Sequence, residues 1–211
     1  MRMWPLFVCC SIAITPAAVA GGAGAPVGAL NLSTIERMTP AQLQRLSLNQ
    51  IDDLTTVAGA SIDQFLKTML VGPLPGPVWP SADYTLYYSA MLSSDAWINS
   101  DYKKDAGADL TSNGCAFPVA AAYQKTFGAN ACRHQNFGYR NVAQYHRTHT
   151  EAVRKVLDMR FLLDMYVQCL DESTSPAGRL ACERAAVAAY VQARTLGTRV
   201  FDAVQARYSN P

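Results

Sequence analysis

Cys132-Arg133-His134-Gln135-Asn136-Phe137-Gly138-Tyr139-Arg140-Asn141 is the stretch on which the reading of this chain turns. A helix is expected to begin just before it, near Ala131. The stretch sets one imidazole beside the amides of Gln135 and Asn136 and the rings of Phe137 and Tyr139. Imidazole has its free pKa near neutrality, so His134 can take a proton and return it. An amide cannot act as a base there; it only donates and accepts hydrogen bonds. A second stretch, Leu157-Asp158-x-x-Phe161-x-x-Asp164-Met165-x-x-x-Cys169, falls in a long helix expected to start at the Thr148-x-x-Glu151 capping box. Val153, Val156, Leu157, Phe161 and Met165 recur on its inward face. Asp158 follows Arg154 by four residues and Asp164 follows Arg160 by four, the spacing of ordinary helix ion pairs.

The cysteines frame both stretches. Met1 to Ala20 reads as a secretory signal: Arg2, an apolar run from Trp4 to Ile14, and a small-residue cleavage site at Ala18-Val19-Ala20. Cys9 and Cys10 leave with it, and Cys115, Cys132, Cys169 and Cys182 remain. An even count in an exported chain implies disulfides, with three possible pairings. Sequential pairing, Cys115–Cys132 and Cys169–Cys182, closes two short loops and is the one expected. Zinc is disfavoured, because no C-x-x-C exists and two of the three histidines are remote from any cysteine.

Upstream, Gly21 to Ala29 is a Gly/Ala/Pro leader with no periodicity, expected to be flexible. Four capping boxes follow, at Ser33-x-x-Glu36, Thr39-Pro40-x-Gln42, Ser47-x-x-Gln50 and Ser61-x-x-Gln64. Leu43/Leu46, Ile51/Leu54 and Ile62/Phe65/Leu66/Met69 stand behind them, so short amphipathic helices ending near Leu70 are expected. Gly72 to Pro80 holds four prolines and is the best internal boundary. The division is 1–20 signal, 21–80 N-terminal helical segment and linker, and 81–211 main domain, which should fold from Ser81 alone. Further helices are expected over the tyrosine-rich Asp83–Met91 and from Ser175-Pro176, the last carrying Val187, Val191, Leu196, Val200 and Val204. Nothing alternates like a strand. The class is an all-α, disulfide-stapled bundle with two long antiparallel helices forming the site and short accessory helices ahead of them.

Composition narrows the function. The chain has 211 residues, half hydrophobic and 16% charged, with a net charge of +2. That is enough for a packed core, gives no case for nucleic-acid binding, and contains no apolar run of the ~18 residues a membrane span needs.

The quoted motifs resemble those of the secreted phospholipase A2 family of bacteria and fungi. Cys132 to Asn141 is similar to C-x-R-H-D-F-G-Y-R-N, Ser112-Asn113-Gly114-Cys115 to the calcium-loop S-D-G-C, and Leu157 to Cys169 to I-D-x-x-F-x-x-D-M-x-x-x-C. The cysteines fall at the family's spacings. The resemblance implies calcium-assisted hydrolysis of the sn-2 ester of glycerophospholipids, by a helix-borne His as general base on water. An Asp on the facing helix orients the imidazole, and the cation stabilises the developing oxyanion.

Counted from Cys132, Gln135 stands at the base's position, Asn136 at a calcium-ligand Asp, and His134 at the Arg. Asn113 replaces the calcium-loop Asp, and Asp158 matches the orienting Asp. Three readings stay open, the last being a secreted helical interaction module whose active part is Asn31 to Leu70. In the first, His134 is the base and Asp158 its partner, through a one-residue shift that a π-bulge could absorb. Calcium is then held by Asn113, Gly114 and Asn136, or by Asp101, Asp105 or Asp109, with Phe137 and Tyr139 on the substrate. In the second, the fold is kept as a lipid- or protein-binding module and the chemistry is lost. Arg133, Arg140, Arg147, Arg154, Lys155 and Arg160 face only Glu151 and Asp158 in this region, which suits anionic headgroups. The expected partner is a phospholipid interface, met by a secreted monomer. His146-x-x-His149 reads as solvated loop and Tyr84/Tyr87/Tyr88 as core packing.

Overall fold

A computed structural model describes residues 30–69, 89–90, 92–94, 97, 109–115, 119, 121–145 and 150–209. The signal and leader, the proline cluster, Tyr84/Tyr87/Tyr88, Asp101, Asp105, His146, Thr148 and His149 lie outside these residues. Among the described residues the chain is helical and contains no strand, as the helical periodicities require. Among the described residues, the α-helices with both ends described are α1 Leu32–Ile35, α2 Pro40–Leu43, α3 Leu48–Met69, α4 Gln124–Ala129, α5 Ala131–Tyr145, α6 Thr150–Glu172 and α7 Pro176–Ser209. A 3-10 turn, Ala121–Tyr123, leads into α4.

The capping chemistry succeeds at two of its four expected places. Thr39 and Gln42 form a reciprocal box at α2. Ser47 and Gln50 do the same ahead of α3, with Gln50 N donating to Ser47 Oγ at 3.3 Å and Ser47 N to Gln50 Oε1 at 2.8 Å. Ser33 is no cap: Asn31 caps α1 instead, accepting from Thr34 N at 2.9 Å. Ser61 starts nothing either. It sits inside α3, its hydroxyl donating back to Val57 O at 2.7 Å, so one 22-residue helix replaces the two expected from Ser47 and Ser61, while α1 and α2 are short as expected. A Ser in mid-helix can bond to its own preceding turn, which removes the reason to break.

α5 and α6 run antiparallel, as do α6 and α7. Gln135 meets Asp158 and His134 meets Asp164, so the chain numbers rise on one helix as they fall on the other. Gly138 sets how closely α5 and α6 approach: a Cβ there would lie 2.9 Å from Leu157 Cδ2. Both expected disulfides are present. Cys169–Cys182 joins α6 to α7 across their turn, and Cys115–Cys132 pins the 109–115 segment to the first turn of α5. Ser175 caps α7 through Gly178 N at 3.1 Å. α7 uses Ala186, Val187, Ala189, Tyr190, Ala193 and Phe201 for the core, while Leu196 and Val200 are exposed.

The core does not divide at the proline cluster. Ile35, Leu43, Leu46, Ile51, Leu54, Ile62 and Leu66 belong to the same apolar cluster as Leu157, Phe161, Met165, Val187 and Tyr190. Polar bonds reinforce the junction. Glu36 accepts from Tyr190 OH at 2.8 Å, Leu46 O from Arg184 Nε at 2.8 Å, and Asp52 from both Tyr166 OH and Arg179.

Tyr166 makes this junction pH-sensitive. Burial, then its bond to Asp52, push its phenol up to about 12. A folded-state pKa above the unfolded value means stability that is complete below pH ~10 and lost as the pH rises toward 12. The thermal midpoint is expected to fall across that window, and Tyr166→Phe should flatten the fall. Tyr139 and Tyr190, also raised by burial, leave a residual slope. Identical alkaline slopes for the two proteins would contradict the assignment.

Candidate functional site

α5 is a regular helix from Ala131 to Tyr145. With no bulge, consecutive residues point about 100° apart, so His134 and Gln135 meet different partners on α6. Gln135 Nε2 donates to Asp158 Oδ1 at 3.1 Å. His134 Nδ1 lies 2.7 Å from Asp164 Oδ2, with both side chains 1% exposed. The expected pairing of His134 with Asp158 is therefore replaced by His134 with Asp164. Simple counting along the motif had the right register, and the helix needs no irregularity.

Asp158 is fully buried and fully used. Its Oδ1 also accepts from Tyr139 OH at 2.7 Å, and its Oδ2 from Arg154 Nη1 at 3.1 Å and Arg194 Nη1 at 2.9 Å. Burial pushes its carboxyl up, opposed by the Tyr139 bond and by Arg194 and Arg154. Two guanidiniums so close favour its charged form against that burial. Glu151 accepts from both arginines and offsets the second positive charge. Asp164 is likewise enclosed, accepting from Ser94 N at 3.0 Å and Arg160 Nε at 2.9 Å. Both helix ion pairs suggested by the four-residue spacings thus exist, in the interior rather than on the surface.

Trp97 covers the His134 pair, its ring stacked on the imidazole at 5.1 Å between centroids and tilted against Phe137 at the same distance. Phe137 is buried, and Tyr139 packs edge-on to Phe201.

The 109–115 segment is held against α5 by three side chains. Asn141 Nδ2 donates to Asp109 O at 2.9 Å while its Oδ1 accepts from Asp109 N at 2.8 Å. Arg140 reaches the Asp109 carboxylate and the Thr111 hydroxyl. Asn136 Nδ2 donates to Gly114 O at 2.6 Å and Ser112 Oγ at 2.8 Å. Gly114 needs its freedom here, because its φ of +75° is the left-handed region. Asp109 is turned into its own loop, accepting from Thr111 N at 2.9 Å, and Asn113 is exposed.

These residues do not fit calcium. The cation prefers several oxygens, some of them anionic, whereas Asn136 aims its N–H groups at the loop's oxygens. Among the described residues no three His, Cys, Asp or Glu side chains gather as a metal group.

Three of the basic residues of 133–160 are taken up by ion pairs, two of them in the interior. Arg140, Arg154 and Arg160 pair with Asp109, Asp158 and Asp164, leaving Arg133 exposed and Lys155 half-buried among the described residues. Sequence reading missed Trp97 and the Asn141 clamp. Trp97 carries no spacing signal, although Asn141 closes the motif itself.

Antiparallel, disulfide-anchored helices thus bear buried polar pairs, with a loop stapled to the first of them. Residues 83–197, more than half of the chain, match the prokaryotic phospholipase A2 family, and the chain belongs to it. No curated protein and no solved structure matches.

Proposed function

We propose that this chain is an exported, monomeric phospholipid-binding member of the family that does not hydrolyse the sn-2 ester by the calcium-assisted route. The observation that carries the reading is the Gln135–Asp158 bond. An amide occupies the position of the general base, and its partner carboxylate is saturated by Tyr139, Arg154 and Arg194. Gln135 can hold Asp158 in place, but it cannot take a proton from water near neutral pH. Family membership supplies the ligand class, and two disulfides fit an oxidising compartment. No described helix is long and apolar enough to cross a membrane.

A second reading rests on the 2.7 Å His134–Asp164 contact, which has the form of a base with its orienting carboxylate. Its burial beneath Trp97 counts against access by substrate. One assay separates the two: the full chain is mixed with phosphatidylcholine vesicles and with vesicles containing phosphatidylglycerol, with calcium or chelator. Co-sedimentation without fatty-acid release is expected in every case. Release that His134→Ala lowers on the order of 10²–10⁴-fold would establish the second reading instead. Neither binding nor release would leave the scaffold without a lipid role.

A further inference from the structure

We infer that the Asn136 side-chain amide takes the structural place of a cation at the 112–114 loop, so that the loop holds its shape without calcium. A carboxylate at this position would face the Gly114 carbonyl, acceptor against acceptor, and would need a positive ion between them. The Nδ2 group resolves that conflict differently. It has two protons and two oxygens to meet, Gly114 O at 2.6 Å and Ser112 Oγ at 2.8 Å. Its orientation is dictated, because the swapped amide would set Oδ1 against a carbonyl that can only accept. Asn136 is buried while Ser112 and Gly114 are partly open, so the donor rather than the loop is shielded from competing water.

The surroundings hold the loop from either side. Cys115–Cys132 fixes it on the C-terminal flank, and Asn141 and Arg140 fix it at Asp109 and Thr111. Neither device requires a metal. The substitution of amide for carboxylate at Asn136 and the neutral Asn113 are consistent with each other, since both remove charge that only a bound cation would offset.

The test is the effect of calcium on the full chain. Titrating calcium chloride calorimetrically is expected to give no saturable heat, and the thermal midpoint should be the same in millimolar calcium and in chelator. Asn136→Asp should lower the midpoint in chelator by roughly 4–8 °C and regain part of it with calcium, but not with magnesium. Saturable binding to the unaltered chain would overturn the inference, as would an Asn136→Asp midpoint that neither falls nor responds. If Asn136→Asp does not fold, Asn136→Ala serves in its place: loss of midpoint without calcium response supports the clasp, and no loss refutes it. Phospholipid cleavage without calcium would sink the functional reading above and leave this one standing.

Discussion

A chain that begins at Ser81 is expected to lose its cooperative thermal transition. Starting there removes Ile35, Leu43, Leu46, Ile51, Leu54, Ile62 and Leu66, each no more than 4% exposed. Burial of such a side chain is worth about 1.5–3 kcal/mol, so the seven together rival or exceed the roughly 5–15 kcal/mol by which a whole domain is stable. The truncation also strips partners from Tyr166, Arg179, Arg184 and Tyr190. Circular dichroism on heating, with a dye that reports exposed apolar surface, measures the outcome. A sharp transition within a few degrees of the full chain would show that α5 to α7 stand without α1 to α3.

Removing Asp158 should be the most damaging single substitution. Asp158→Ala leaves Arg154 and Arg194 facing each other in the interior with the exposed Glu151 and the more distant Glu36 as remaining counter-charges, and takes an acceptor from Tyr139 OH and Gln135 Nε2. Breaking one side of a buried pair typically costs ~3–5 kcal/mol, because the surviving charge stays desolvated. The urea midpoint is therefore expected to fall sharply, with Asp158→Asn between it and the parent. A loss below about 1 kcal/mol would mean the arginines find water or other partners, and that Asp158 is not the anchor of this layer.

That layer was half legible in the sequence. Spacing alone offered Arg154–Asp158 and Arg160–Asp164, since residues four apart on a helix are neighbours whatever the fold. The facing of Gln135 toward Asp158 was also readable, by counting from Cys132 and trusting a regular helix. Expecting His134 there required an irregularity that the backbone does not contain. Arg194 was invisible, because a partner 36 residues distant is set by how α6 and α7 pack. The same holds for Arg140 and Asp109, which made a basic face seem freer than it is. Both disulfides were accessible because each closes a short loop. α3 was misjudged for the opposite reason: Ser61-x-x-Gln64 is locally identical to a true cap, and only the docking of Ile62 and Leu66 into a continuous apolar seam decides that the helix runs on.

The shared core also changes what proteolysis would mean for this molecule. If the backbone were cut within the proline cluster, connectivity would change but α3 would still be bedded against α6 and α7. The two pieces would migrate together in native conditions and part only in denaturant, as a peptide and its receptor do. Maturation by cleavage there would yield a non-covalent heterodimer rather than a freed domain, and the small fragment would act as a tightly held subunit.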